Sequence, residues 1–150
     1  EGVLPAAREY TDADLQVQRI AASAVADSDA AIEKVAIHDA IGAIWTLVDE
    51  LNNYITVQEP WVLAKDEATR DRLATVLNTT VEGLRVLAVL LNPITPKATA
   101  KLWAAIGVSL GSIDDQHTAD AGKWGQFTAG AAIGELEALF PRIETTEEAK

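Results

Sequence analysis

The sequence predicts an all-α fold: an antiparallel helix bundle over residues 1–110, then an extended loop and a returning C-terminal segment over 111–150. Three observations carry this expectation. Apolar residues make up 49% of the 150 residues but aromatics only 5%, with Ala and Leu dominant, a composition suited to packed helices. Apolar residues recur at three- and four-residue spacing through long windows. Pro60, Asn92-Pro93 and Thr95-Pro96 fall between those windows, where proline stops or opens a helix.

The elements follow in order. Residues 1–10 form an irregular lead-in containing Pro5, and the chain opens without Met, as a piece of something longer would. Thr11 is a suitable N-cap, with Asp12 and Asp14 in the first turn, where acids complement the helix dipole. Leu15, Ile20, Ala24 and Val25 give a short first helix ending near Asp27, and Ser28 or Asp29 caps the next. That second helix is long, with its stripe running from Ile32 through Ile44, Leu47 and Leu51 to Tyr54 and Ile55. Ile41, Trp45 and Val48 widen the stripe, so it is expected to sit centrally and touch partners on two sides. Gly42 inside it costs about 1 kcal/mol against Ala unless a neighbour packs closely there, and we read it as such a structural position.

After Pro60 a short helical turn covers Trp61 to Ala64, and Asp66 then caps a third helix through Leu91. The apolar face of this helix is read as Leu73, Val76, Leu77, Thr80, Leu84, Leu87, Ala88 and Leu91. Thr95 caps a fourth helix with Pro96 at its first position, Leu102, Trp103 and Ile106 face the core, and Gly107 ends it. From Val108 to Ala132 glycines and aspartates mark an excursion long for a compact domain. Leu139 to Glu144 is apolar enough to dock, and Thr145 to Lys150 is a tail.

Composition removes several function classes. No apolar run approaches the roughly 18 residues of a membrane span, and there is no Cys for disulfides or thiolate sites. The net charge of −11 argues against bulk binding to nucleic acid. The charge is uneven, however: −8 over residues 1–59, +2 over 60–111 and −5 over 112–150. The one third that is not acidic begins at Pro60-Trp61, leaving room for a local anion site.

Little in the sequence carries covalent chemistry. His38 and His117 stand apart with no ligands at metal spacing, and Asp114-Asp115 lacks the rest of a calcium loop. No P-loop, dinucleotide fingerprint or nucleophile elbow is present. Four tryptophans remain. Trp45 and Trp103 lie on apolar helix faces and read as core; Trp124, in a glycine-bounded turn, pins the loop to the body. Trp61 has two readings, a wedge in the helix junction beside Pro60 or a platform on which an RNA base stacks, with Lys65 one turn on to meet a phosphate. The residues alone leave both open.

In order along the chain, Asn52-x-Tyr54-Ile55, Pro60-Trp61, Leu63-Ala64-Lys65, Leu84-Arg85, Leu91-Asn92-Pro93-Ile94-Thr95-Pro96 and Leu139-Phe140-Pro141-Arg142-Ile143 resemble the anticodon-binding domain of methionyl-tRNA synthetases. The resemblance spans roughly residues 12 to 144. It implies a helix bundle attached to a catalytic nucleotide-binding domain, with the closing segment returning toward that domain. It further implies that Trp61 stacks on an anticodon base of methionine tRNA while Pro60 shapes the corner. Lys65 and Arg85, with Arg70, Lys97 and Lys101, are candidates for RNA backbone contacts. The family's upstream Asn and Arg would fall before Glu1, and its two adenylate-forming signatures are absent from this sequence.

The whole enzyme so implied is a cytoplasmic, monomeric ligase that joins methionine to its tRNA with ATP and magnesium. The fragment itself is expected to need no cofactor, metal or membrane. Its partners would be methionine tRNA and its own catalytic domain. Two rivals stay open: the corresponding domain of a sister class I synthetase for Val, Leu, Ile or Cys, and a helical interaction module with no RNA partner.

Overall fold

Thr11 and Asp14 start the first helix together: Asp14, at the third helical position, accepts the Thr11 N–H at 2.6 Å, one half of a capping box. A computed structural model describes residues 2–107, 110–135 and 138–141, and in it this helix, α1, runs Asp12–Glu33. The break expected near Ser28 is not there. Ser28 is buried in mid-helix and turns its hydroxyl onto the Val25 carbonyl at 3.1 Å, so its capping ability is spent inside the helix. The chain turns instead at Lys34–Ala36, where Val35 takes a left-handed φ of 58°. Helix α2 follows over Ile37–Gln58, the short α3 over Pro60–Leu63, and α4 over Arg70–Leu91. Asp66 does cap, but it caps a 3₁₀ turn, Glu67–Thr69, that feeds α4, accepting from the Ala68 N–H at 2.9 Å. Helix α5 spans Pro96–Ile106 with Pro96 at its first turn and Gly107 at its end, and α6 is one turn, Thr118–Ala121.

The start of α1, the end of α2 and the start of α4 meet at one end of the bundle, joined by Asp14, Tyr54 and Arg72. Neighbouring helices therefore alternate in direction, as short connections require. Each of α1, α2 and α4 has 22 residues, about 33 Å at 1.5 Å per residue. The opposite end, where α5 begins, is thus roughly that far from the Pro60–Trp61 corner.

The central element is α4 and not α2. Helix α4 packs against α1, α2, α3, α5 and α6, whereas α2 has two partners, α1 and α4, so its expected contact on two sides holds but its central place does not. The face of α4 is accordingly broader than the stripe read from sequence. Thr75, Thr79, Glu82, Val86 and Val89 are buried, while Leu77 is partly exposed and Leu73, Thr80, Leu84 and Leu91 are half-buried. By length and composition Glu67–Leu91 would cross a membrane, but 67% of its most apolar stretch is buried in the bundle, as a central helix should be. The buried face of α2 is Ala40, Ile44, Leu47, Leu51 and Tyr54. Its widening residue Trp45 is 52% exposed, so that tryptophan is not core. Nor does anything approach Gly42: a Cβ there would meet no atom within 4 Å.

The segment after α5 packs down onto the body. Leu4 N–H donates to Ala131 O at 2.8 Å and Gly130 N–H to Leu4 O at 2.9 Å, with an antiparallel bridge between Val3 and Ala132. Glu82 and Arg85 of α4 reach out from the core to hold the same segment. Phe127 N–H donates to Glu82 Oε1 at 2.8 Å, and Arg85 Nη2 donates to the carbonyls of Ala121 and Lys123 at 3.0 and 2.6 Å. Trp124 packs on the core beside them, pinning the loop as expected. Trp103 is buried, and its indole N–H donates to Gly111 O at 2.8 Å. In the closing segment Leu139 docks partly against the core, but Phe140 is 75% exposed above a hollow of about 420 Å³ lined by Thr95, Pro96, Lys97 and Ala98. Arg142, Ile143, Glu144 and residues 145–150 lie outside the described residues.

Candidate nucleic-acid interface at the Pro60–Trp61 corner

Helix α2 ends on one unusual residue. Glu59 is left-handed, at φ 45° and ψ 59°; its N–H donates back to Ile55 O, while its carbonyl accepts from Val62 and Leu63. One residue therefore closes α2 and opens α3, and Pro60 fits the first position of α3 because no N–H is needed there. Trp61 comes next and is 54% exposed, with Val57 and Val62 exposed nearby in the chain. A junction wedge would be buried, so the exposed ring speaks against that reading. Solvated indole surface at a corner is what a stacking face needs.

Lys65 and Arg70 are exposed just beyond α3, and Arg70 pairs with Glu67 at 2.8 Å. Lys97 and Lys101 are exposed on α5, which starts at the other end of the bundle. Arg85 is corrected outright. It is 2% exposed, ion-paired with Glu82 at 3.0 Å, and its Nη2 serves two loop carbonyls, so it is turned into the fold and away from any RNA surface. Its sequence signal was available: Glu82 lies three residues earlier, on the same helix face.

Behind the corner lies a polar cluster that the sequence did not show. Asp14 is wholly buried and accepts from Arg72 Nη1 and Nη2 at 2.6 and 3.0 Å, from the Thr11 hydroxyl at 2.8 Å, and from the Tyr54 hydroxyl. Arg72 also donates from Nε and Nη2 to Gln58 Oε1, at 3.2 and 2.7 Å. Burial alone would raise the Asp14 pKa. The bonds from Arg72, Tyr54 and Thr11 outweigh it and hold the carboxyl below its ordinary value. Burial and the neighbouring Asp14 push the Tyr54 hydroxyl well up, so it stays protonated and donates. Burial would lower the Arg72 guanidinium pKa, but Asp14 and Tyr54 raise it on balance. The residues joined are 40 and 58 positions apart, which is why no local pattern announced them.

Elsewhere the titratable groups stay dispersed. His38 is exposed beside Asp39, His117 caps α6, and no three His, Asp or Glu residues converge among the described residues.

The family described as the anticodon binding domain of methionyl tRNA ligase matches residues 4–150. The chain is 45% identical to a methionine–tRNA ligase of Streptomyces coelicolor over 148 residues, covering 95% of this chain and 28% of that protein. It is 33% identical to the methionine–tRNA ligase of Caldanaerobacter subterraneus, covering 99% of this chain and 23% of the relative. Among solved structures, the apo form of Mycobacterium tuberculosis methionyl-tRNA synthetase superposes with a TM-score of 0.83 at 31% identity, over 96% of this chain and 28% of that one. The same enzyme in complex with methionyl-adenylate matches with equal score over 94% of this chain and 27% of its own. The chain thus spans about a quarter of the length of these relatives. The family model covers nearly every residue, and the chain belongs to the anticodon-binding domain family of methionyl-tRNA ligases.

Proposed function

We propose that this chain reads the anticodon loop of methionine tRNA as part of a methionyl-tRNA ligase, with Trp61 as the stacking face for an anticodon base and Pro60 setting the corner. One observation carries the reading: in a family of anticodon binders, the tryptophan that opens α3 is more than half exposed on a proline-started turn. Single-stranded bases are read by stacking on aromatics, and each stack contributes about 1–3 kcal/mol. Lys65 and Arg70, exposed just beyond α3, are the nearest candidates in sequence for phosphate contacts, with Arg70 also paired to Glu67, in a chain of net charge −11.

In this reading the whole enzyme joins methionine to its tRNA with ATP and magnesium, works in the cytoplasm and is monomeric. The adenylate-forming signatures are absent from this sequence, and the binding of ATP and magnesium is not assigned to these residues. We assign no chemical step to them. This part binds and orients, and its second partner is the catalytic part of the same enzyme.

The test is Trp61→Ala in the full-length enzyme. Aminoacylation efficiency is expected to fall about 5- to 150-fold, the loss of one stack, through KM for tRNA. Methionine activation measured without tRNA reports that the enzyme is folded. Trp61→Phe retains a ring and should recover most of the loss. Unchanged aminoacylation by Trp61→Ala would sink the stacking role, and transcripts with anticodons other than CAU would separate methionine reading from that of a sister synthetase.

A further inference from the structure

At its far end helix α3 is held by Leu63, half-buried against the core and accepting from the Thr69 hydroxyl at 2.7 Å, but its near end, which carries Trp61, has few holds. Pro60 brings no N–H, Glu59 offers no side-chain cap, and no residue of α3 is buried. A single left-handed residue joins it to α2. With its far end anchored at Leu63, the direction of Trp61 is set at the near end by where α2 stops and how its last side chain is held. That side chain is Gln58, and Arg72 of α4 holds it through two donors on one oxygen, at 3.2 and 2.7 Å. The guanidinium is itself not free to swing. It is bidentate on Asp14 at 2.6 and 3.0 Å, and Asp14 is buried and fixed by Thr11 and Tyr54. A planar fork with donors committed on two sides makes a rigid bracket, which a flexible ammonium could not. Tyr54 sits one turn before Gln58, so the last turn of α2 is gripped twice on the same face.

We propose that Arg72 and Gln58 are positioning residues for Trp61: Asp14 fixes Arg72, Arg72 fixes Gln58, and Gln58 fixes the turn that aims the indole toward the RNA. The proposal rests on the stacking role of Trp61 and deepens it. Three helices that share no local sequence pattern then converge to orient one exposed ring.

Removing Arg72 would strand a buried carboxylate and unfold part of the bundle, so the informative variant is Gln58→Met. It keeps the side chain's length and approximate volume and removes the amide, and with it the oxygen that Arg72 holds. The full-length enzyme is labelled with 5-fluorotryptophan, and the Trp61 ¹⁹F resonance is identified with Trp61→Phe. In Gln58→Met that resonance should shift or broaden while those of Trp103 and Trp124 hold still. Affinity for methionine tRNA should fall about fivefold or more, within the range that loss of a stack produces. In the Trp61→Ala background, Gln58→Met should cost less than about twofold more, because the two act through one contact. An unmoved Trp61 resonance overturns the positioning role, as does a full, additive loss in the double variant. If Trp61→Ala leaves tRNA binding unchanged, the stacking reading fails instead, and the resonance alone still reports whether Gln58 sets the ring.

Discussion

Asp14 is the residue on which the corner's charge balance turns. It is buried, and among the described residues its full positive partner is Arg72. Its folded-state pKa lies below the usual carboxylate value, because three sets of donors outweigh burial. A depressed carboxyl stabilises the fold above its unfolded pKa, near 4, and that contribution is lost as pH falls through the lower folded value. Asp14→Asn leaves the guanidinium of Arg72 uncompensated and should destabilise by about 3 kcal/mol at neutral pH. The penalty should persist down to about pH 4 and shrink below it, as the wild-type carboxyl takes up its proton. Urea melts of both proteins at pH 7, 5 and 3 check this; a penalty still constant at pH 3 would mean that Asp14 is not the group titrating. The sequence displayed Asp14 as a first-turn acid, which it is, since it accepts the Thr11 N–H. Its second role depends on residues 40 and 58 positions away, and periodicity cannot report that. Trp61 was legible as a choice of two readings, and only its exposure could weigh between them.

At the level of elements, punctuation by proline was read well and side-chain direction less so. Pro60, Asn92-Pro93 and Thr95-Pro96 mark boundaries because they act on the backbone wherever they stand. Ser28 misled because a hydroxyl can cap a new helix or fold back onto an old one, and packing decided for the second. Val35 in a left-handed turn offers no signal at all, since a β-branched residue is the least expected there. Two helix glycines show the same limit. Gly42 was read as a site of close packing, yet nothing lies near it; Gly83 of α4 is the close approach, where a Cβ would sit 2.7 and 2.9 Å from the two methyl carbons of buried Leu51. Gly42→Ala should therefore stabilise by about 0.5–1 kcal/mol through helix propensity. Gly83→Ala gains the same propensity but must displace Leu51, and overpacking of about 1–3 kcal/mol should make it destabilising. Chemical denaturation of the two single variants should show opposite signs; equal signs would mean that the α2–α4 contact yields without cost.

For the whole molecule, the question is whether the long segment after α5 is an appendage or part of the bundle. Length and glycine content suggested an excursion, and its attachment was illegible because the anchors are charged residues on α4 that look like surface. Glu82 and Arg85 are buried together and spend their bonds on the backbone of residues 121–127. From there the segment runs on to pair with Leu4 and Gly2 at the start of the chain, so the two ends of the described fold are tied through one clamp. Such a pair is costly to break on one side, because the remaining charge stays buried. Glu82→Leu should lose about 3–5 kcal/mol, and Glu82→Leu with Arg85→Met should lose less than the single variant, since no orphan charge is left. Hydrogen exchange gives the molecular-scale outcome. In Glu82→Leu the amides of Phe127, Leu4 and Ile133 should lose protection together, while those of α2 keep theirs. Protection retained at Leu4 when Phe127 opens would show two independent attachments, and the segment would then be an appendage fastened twice.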